Sequence, residues 1–252
     1  MAAALDSIKV VDLTRTLAGP FCTMLMGDMG ADVVKIEEPT GGDETRNWTP
    51  FWNGESTQFL SFNRNKRSLA VNLKEPEGLK IVRDLAADAD VMIESFRTGT
   101  LDRLGLGYED IKKINPGVVY CSISGYGRTG PMADMPGYDL LIQAYSGLMS
   151  LTGDPDGMPL RIGFSLVDLF TGMMAYGTIL TALRQRDQTG KGQWVESALL
   201  DGQVAALSYH ATGFMGTGVE PKRMGSGHPS LVPYQSFSSS NGQFIIGCAN
   251  QG

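Results

Sequence analysis

The feature that most constrains this fold is an alternation of short apolar strands and amphipathic helices along the first half of the chain. Five segments are rich in apolar and β-branched residues, as buried strands are: IKVVDL (8–13), ADVVKIE (31–37), SLAVNL (68–73), DVMIESF (90–96) and GVVYCSISGYG (117–127). Helical patterns lie between them at 18–30, at 76–89 and just before Asn115. Because strands separated by helices pair in parallel, the alternation predicts an α/β fold with helices on both faces of a parallel sheet.

Polar, glycine-rich segments follow the predicted strands. These segments read TRTLAG, EEPTGGDETR, KEPEG, SFRTG and SGYGRTG. Ligands of open parallel sheets bind in the crevice outside the carboxyl ends of the strands. We therefore expect the functional site to be built from these segments, at one edge of the sheet.

The second half of the chain is richer in helices. Helices are predicted over 138–151, from Leu169 to the basic residues near 186, and over 199–216, with a strand at 193–198. The dipeptide Asn241-Gly242 predicts the turn of a β-hairpin. Because the sequence stops just past an apolar strand, with no following element to cover it, we expect a fragment of a longer protein.

Composition narrows the classes of function. The 252 residues are 42% hydrophobic and 19% charged, as in globular proteins, and the net charge of −6 argues against nucleic acid as a partner. No uninterrupted apolar run reaches the ~18–20 residues of a membrane span, and no signal peptide is recognisable. We expect no membrane partner and a cytoplasmic location, or the mitochondrial matrix if a transit peptide has been removed. The three cysteines are widely spaced and predict reduced thiols. The chain has only two histidines and no CxxC motif, so we expect no metal site.

One carboxylate stands out in the apolar segment LRIGFSLVDLFTGMMAYGTILTALRQR (160–186). No basic residue between Arg161 and Arg184 is available to pair with Asp168, and an unpaired charge is costly to bury. If the helix begins at Leu169, Asp168 immediately precedes it and can act as its N-cap. A carboxylate at a helix N-terminus in a dry pocket can also be a nucleophile. The local sequence leaves both interpretations open.

Other catalytic motifs are incomplete. A dinucleotide site would use Glu37 or Glu38 after the second strand, but the first turn, TRTLAGPF, has one glycine and lacks the glycine-rich fingerprint. No GxSxG motif occurs. His210 is interpreted as a packed helix residue, and His228 as a residue of a surface loop or a lid. The run NRNKRS (63–68) is expected to be a solvated turn, with phosphate binding as the alternative.

Longer phrases carry a resemblance to a known family. The chain resembles the family III CoA-transferases, which include formyl-CoA transferase, carnitine CoA-transferase and α-methylacyl-CoA racemase. The phrases are VVDLTRTLAGPFCTMLMGDMGADVVKIEEPTGGDETR, NRNKRSLAVNLKEPEG, DVMIESFRTGTLDRLGLGYEDI, SISGYGRTGP and TGKGQWVESALLDG, in this order along the whole chain. Three further phrases are most similar to the branch that transfers CoA from succinyl-CoA to dicarboxylates: GYDLLIQAYSGLM, VDLFTG and GSGHPSLVPYQSF.

This resemblance implies a domain organisation and a partner. A Rossmann-like large domain with a parallel sheet and flanking helices would occupy residues 1–230. Residues 231–252 would begin the connection to a small domain that is absent from this chain, as is a C-terminal return segment. Members of the family form interlocked homodimers, so we expect a homodimer at full length.

The resemblance also implies a covalent mechanism. Asp168 aligns with the family's catalytic aspartate, which forms an acyl anhydride and then an aspartyl-CoA thioester. Coenzyme A is then a substrate, no tightly bound cofactor is expected, and the acceptor is a dicarboxylate such as glutarate or hydroxymethylglutarate. Racemisation at the α-carbon of an acyl-CoA is one alternative, although the racemase branch has a histidine where this chain has Tyr138. A non-catalytic CoA-binding module is the other.

The binding residues follow from the resemblance by position. CoA contacts are assigned to Thr16, Leu17, Ala18, Val71, Asn72, Leu73, Lys74, Ser95, Phe96 and Arg103. Substrate contacts are assigned to Tyr138, Asp139, Arg46 and the glycine lid that contains Gly225, Gly227 and His228. Arg103 could instead be a solvated helix residue, and Asp139 a helix cap. Arg15, Arg46 and Arg161 are candidate clamps for a carboxylate, and Glu38 replaces a CoA-contacting arginine of formyl-CoA transferase.

Overall fold

A six-stranded parallel sheet forms the centre of the molecule. The structure is a computed structural model and describes residues 3–248. Over this range the strands are β1 (Lys9–Leu13), β2 (Asp32–Glu37), β3 (Phe51–Trp52), β4 (Glu55–Ser56), β5 (Lys66–Ala70), β6 (Val91–Glu94), β7 (Val119–Ser124), β8 (Gln193–Ala198), β9 (Tyr234–Ser239) and β10 (Gly242–Gly247). The helices are α1 (Ala18–Asp28), α2 (Thr57–Asn63), α3 (Pro76–Ala87), α4 (Thr100–Arg103), α5 (Tyr108–Ile114), α6 (Asp139–Tyr145), α7 (Leu148–Leu151), α8 (Leu166–Thr189), α9 (Leu199–Ala206) and α10 (Tyr209–Thr217).

The strand order places a crevice at the middle of the sheet. The order is β5-β2-β1-β6-β7-β8, and every neighbouring pair is parallel. The chain runs outward from β1 through β2 to β5, and then crosses back to β6 on the other side of β1. This is the order of a doubly wound, Rossmann-like sheet, in which ligands bind where the direction reverses. The predicted fold class is therefore confirmed, and the topology marks the carboxyl ends of β1 and β6 as the place for a ligand.

Two apolar cores cover the two faces of the sheet. Val10 and Ile93 face the core under α1 and α8, whereas Val11 and Met92 face the core under α3 and α5. Successive residues of a strand point to opposite faces. The strands are apolar on both faces for this reason, and they read as continuous apolar runs in the sequence.

The apolar helix α8 begins at Leu166 rather than at the predicted Leu169. Asp168 therefore lies inside its first turn and not before it. An 18-residue window of this helix has a mean hydropathy of 1.5, so by length and composition only the helix could cross a membrane, although it contains no uninterrupted apolar run of that length. In this fold its buried residues face α1, α9 and β8, as those of a core helix do.

Two predicted helices are interrupted. The segment 138–151 forms α6 and α7, which are separated at Gly147, where φ is 87°. The segment 199–216 forms α9 and α10, which are separated at Ser208, where φ is 51°. A positive φ is incompatible with a continuing right-handed helix. Glycine signals such a break in the sequence, whereas serine does not.

The predicted β-hairpin is present, with its turn shifted by one position. Strands β9 and β10 are antiparallel, and Gly242 pairs with Ser239, so the turn residues are Ser240 and Asn241. The Ser239 hydroxyl donates to the side-chain oxygen of Asn241 and lies 3.0 Å from the Gly242 carbonyl oxygen, which favours this register. Residues 249–252 of the predicted connection lie outside the described range.

Candidate active site at the carboxyl edge of the sheet

A cavity of about 390 Å³ lies at the crevice between β1 and β6. The loops after β1, β6 and β7 form its walls together with the segment 133–139 and the first turn of α8. Eight of the residues that the sequence assigns to the site line this cavity: Thr16, Leu17, Ala18, Ser95, Phe96, Tyr138, Asp139 and Asp168. Residues far apart in the sequence are thus brought to the position that the topology marks for a ligand.

The second group of predicted CoA contacts lies outside the cavity wall. Val71, Asn72, Leu73 and Lys74 follow β5 at the same carboxyl edge of the sheet. Arg103, at the end of α4, is exposed and donates to the Thr100 hydroxyl at 3.3 Å. Glu38, directly after β2, is also exposed. These residues share the edge with the cavity without lining it.

Arg46, predicted to contact substrate, is directed elsewhere. Its guanidinium donates two hydrogen bonds of 2.7 Å to the Glu37 carboxylate and stacks on the Phe59 ring at 3.7 Å. Burial alone would raise the pKa of Glu37, but the hydrogen bonds from Arg46 and Ser68 lower it to about 2. Arg46 therefore serves an internal ion pair, and the structure does not bring it into the cavity.

The glycine loop is also separate from the cavity. Gly225 donates its N–H to the Gly153 carbonyl oxygen, and Gly227 donates to Met224. The His228 ring packs between Tyr209 and Tyr234, with ring centroids 5.7 and 5.3 Å away. In this chain His228 thus contacts α10 and the hairpin, and none of the three predicted lid residues lines the cavity that contains Asp168.

The side chain that caps the first turn of α8 is Asp139, not Asp168. The Asp139 carboxylate accepts hydrogen bonds from the N–H groups of Val167 (2.8 Å) and Asp168 (3.3 Å). Its other oxygen accepts a hydrogen bond from the side-chain N–H of Gln143, whose side-chain oxygen Oε1 accepts the N–H of Ile162 at 2.9 Å. The interpretation of Asp168 as the cap is therefore wrong, because a carboxylate brought by another segment already bonds the free N–H groups of this turn.

The Asp168 carboxylate is left without a local partner. Within residues 3–248, Asp168 takes part in hydrogen bonding through its backbone N–H, and no hydrogen bond reaches its carboxylate oxygens. Burial raises the pKa of this carboxyl to about 7, and the negative charge of Asp139 acts in the same direction. Above that pH the site holds an ionised, poorly solvated carboxylate, which is a suitable nucleophile.

Two buried ion pairs lie beneath the cavity and were not predicted from the sequence. Lys35 pairs with Asp43 at 2.9 Å, and Arg128 pairs with Glu94, with all four side chains at most 10% exposed. Isolated charges within apolar strands, Lys35 in DVVKIE and Glu94 in VMIE, are the signal that could have revealed them. Burying such charges is costly unless they are paired and hydrogen-bonded.

The cations of the NRNKRS run are likewise engaged with carboxylates of the chain. Arg64 pairs with Asp28, Arg67 pairs with Asp32, and Lys66 lies 3.3 Å from buried Asp12. Burial lowers the pKa of Lys66 to about 8. The phosphate-binding alternative for this run thus gains no support.

Comparison with known proteins gives one consistent family. Residues 5–252 match the model of CoA-transferase family III. The chain is 52% identical to the succinyl-CoA:glutarate CoA-transferase of Mus musculus, covering 98% of this chain and 57% of that protein. It is 42% identical to the acetyl-CoA:oxalate CoA-transferase of Acetobacter aceti, covering 97% of this chain and 63% of that protein.

A solved structure agrees with these matches. The crystal structure of a CAIB/BAIF family protein from Brucella suis superimposes with a TM-score of 0.92 at 46% identity, covering 98% of this chain and 67% of that one. The fold is therefore shared over nearly the whole chain. The chain spans little more than half the length of its mouse relative.

Proposed function

The chain belongs to CoA-transferase family III, and from this we propose that its protein transfers CoA from succinyl-CoA to a free dicarboxylate such as glutarate. The proposal is supported by the succinyl-CoA:glutarate specificity named for the mouse relative, which is 52% identical. Another relative, which is 42% identical, is named as an acetyl-CoA:oxalate CoA-transferase. Both the CoA donor and the acceptor acid therefore differ between members of the family.

The reaction that we propose runs through Asp168. Its carboxylate oxygen attacks the thioester carbonyl of succinyl-CoA, forming a mixed anhydride and releasing CoA thiolate. The thiolate attacks the aspartyl carbonyl, which gives an aspartyl-CoA thioester and frees succinate. The acceptor carboxylate attacks this thioester and again releases thiolate, which attacks the acceptor's carbonyl in the new anhydride. The products are the new CoA ester and a restored Asp168 carboxylate.

The observation that carries this mechanism is the environment of Asp168. The side chain lies in the cavity wall at the crevice, and within the described residues no hydrogen bond reaches its carboxylate. An anhydride or thioester at this position is reactive towards water, and partial burial limits that side reaction. Racemisation, by contrast, needs an acid–base pair, and the racemase histidine is replaced by Tyr138, which is 65% exposed.

Asp168→Asn isolates the nucleophile. In the protein at its natural length, we expect CoA transfer from succinyl-CoA to glutarate to fall by several orders of magnitude, as when other covalent catalysts are removed. The fold should persist, because a carboxyl whose pKa is raised on folding costs stability as pH rises from its ordinary pKa to about 7, and asparagine avoids that cost. Asp201→Asn is the matched control, since Asp201 lies in the first turn of α9 and is exposed.

Chemical trapping tests the intermediate itself. Incubation with succinyl-CoA followed by hydroxylamine should convert the activated carboxyl of Asp168 to a hydroxamate, detectable by mass spectrometry of the peptide. The Asn variant should show no such modification. A variant that retains more than about a tenth of the wild-type rate, a change of under ~1.4 kcal/mol in the barrier, would contradict the mechanism.

A further inference from the structure

The cavity that contains Asp168 also presents an arginine that contacts an aromatic ring and, within residues 3–248, no carboxylate. Arg15 lines the cavity, and its guanidinium carbon lies 5.1 Å from the centre of the Phe96 ring, another residue of the wall. Arginine ion pairs occur elsewhere in the described residues, at Arg46, Arg64, Arg67, Arg128 and Arg186. Arg15 forms none with a carboxylate of residues 3–248.

The backbone on both sides of Arg15 is held by one buried ion pair. Lys35 donates a 2.8 Å hydrogen bond to the Thr14 carbonyl oxygen, and Asp43 accepts the N–H of Thr16 at 3.2 Å. Lys35 and Asp43 are themselves 2.9 Å apart and almost fully buried. The peptide groups on both sides of Arg15 are therefore held by hydrogen bonds to this buried ion pair.

Thr16 adopts a backbone conformation that this clamp enforces. Its φ is 69°, in the left-handed region that β-branched residues rarely enter, and its hydroxyl donates to Glu44 at 2.7 Å. Strain of this kind persists only where the surroundings over-determine it, and it is concentrated at functional sites. The strained turn directs a polar segment, with Arg15 at its centre, towards the crevice.

The ring on which Arg15 rests is fixed in the same manner. Glu94 accepts the N–H of Phe96 at 2.8 Å, and Arg128 donates to the Phe96 carbonyl oxygen at 3.2 Å. Glu94 and Arg128 form the second buried pair. Two internal ion pairs thus position the two partners of one cation–π contact at the cavity wall, which limits the conformational freedom of the guanidinium.

We propose that Arg15 binds the remote carboxylate of the dicarboxylate acceptor while the other carboxylate reacts at Asp168. This inference rests on the proposed function, and it names the residue that would make a dicarboxylate the preferred acceptor. A guanidinium binds a carboxylate with two parallel hydrogen bonds, and a pre-positioned one loses little entropy in doing so. Lys35, Asp43, Glu94 and Arg128 act as positioning residues for Arg15 and Phe96.

The other candidate clamps do not meet these conditions. Arg46 is bound to Glu37, and Arg161 donates to the Gly163 carbonyl oxygen at 3.1 Å, outside the cavity wall. Arg97 also lines the cavity and is the direct competitor for this role. The experiment must therefore separate Arg15 from Arg97.

The test compares glutarate with pentanoate, a monocarboxylate of the same chain length, as acceptors for the protein at its natural length. Arg15→Gln should lower the kcat/KM ratio of glutarate over pentanoate by at least about tenfold. Only glutarate has a second, remote carboxylate, and in this variant that carboxylate would lose its guanidinium partner. Most of the change should be in the KM for glutarate. Binding of free CoA, which has no carboxylate, should stay within about twofold of wild type. Arg15→Lys should restore part of the ratio, since lysine keeps the charge without the bidentate geometry.

Two control variants define the outcome. Arg161→Gln should leave the ratio unchanged, because this arginine lies outside the cavity wall. An unchanged ratio in Arg15→Gln, or a ratio that collapses in Arg97→Gln instead, would overturn the assignment of Arg15 while leaving the transferase function intact. A wild-type protein that transfers CoA to neither acid would overturn the proposed function, and the role of Arg15 with it.

Discussion

At the scale of single residues, buried charges fall into two kinds. Asp12, Lys35, Asp43 and Glu94 are paired with opposite charges, whereas the carboxylate of Asp168 meets no cation among the described residues and faces the like charge of Asp139. The paired charges hold loops in place. The ionised form of Asp168 is instead destabilised by its surroundings, which raise its pKa to about 7, and this is the arrangement expected of a group that reacts.

The raised pKa of Asp168 predicts a pH dependence. Because the carboxyl is protonated below about pH 7 and only the ionised form attacks, kcat/KM for succinyl-CoA should rise with pH and level off above that value. Asp139→Asn keeps a capping oxygen and removes the like charge, so the rise should move to lower pH. Rate profiles between pH 5 and 9 measure both effects. An identical profile in Asp139→Asn would show that the charge of Asp139 does not act on the nucleophile.

At the scale of elements, the site depends on close contact between α1 and α8. The first turn of α8 carries Asp168, and α1 begins at Ala18, in the same cavity wall. Gly172 of α8 faces the backbone of α1, where an added Cβ would lie 2.5 Å from the Ala18 carbonyl oxygen. The absence of a side chain at this position allows the two helices to approach closely.

Two glycine-to-alanine changes on the same helix should have opposite effects. Gly172→Ala forces α8 away from α1 and should lower the free energy of unfolding by about 1–3 kcal/mol, with a loss of CoA transfer. In Gly177→Ala the added methyl group points into open space. The better helix propensity of alanine should therefore raise the free energy of unfolding by up to ~1 kcal/mol. Urea denaturation measures both. Equal effects of the two changes would contradict the close packing of these helices.

At the scale of the whole molecule, α10 carries apolar side chains that the described chain leaves uncovered. None of its residues is buried, and Tyr209, Phe214 and Met215 are 54%, 47% and 74% exposed. Val204 and Met173, on α9 and α8, are also exposed. Exposed apolar side chains clustered on one helix usually pack against another surface, and the expected homodimer would provide one.

Charge substitutions on α10 test this expectation. At its natural length the protein should elute as a homodimer in size-exclusion chromatography with light scattering. Phe214→Asp combined with Met215→Asp should shift it towards the monomer, because two charges would be buried in an apolar contact. Ile81→Asp, on the exposed side of α3, is the control and should leave the dimer intact. A dimer that withstands the α10 substitutions would exclude this helix from the interface.

The candidate site was predicted in part. The strand ends that line the cavity, and Asp168 as its unusual carboxylate, were recognisable in the sequence because each carries a local signal. The assignment of Arg46 as a substrate contact did not agree with the structure, since its partner Glu37 occupies the adjacent strand end and binds it with two hydrogen bonds. Arg15 and Arg46 were both candidate clamps in the sequence, and their partners in the structure distinguish them.

By itself the sequence determined the α/β class, the order of the elements and the edge that holds the site, because apolar periodicity and glycine-rich strand ends are local properties. The tertiary structure alone decided which charges are internal and which remain available. Asp139 caps a helix 28 residues away, and Arg128 reaches Glu94 across 34 residues. The physical reason is that an ionised side chain is stabilised by whatever lies beside it in space, and no local pattern records that neighbour.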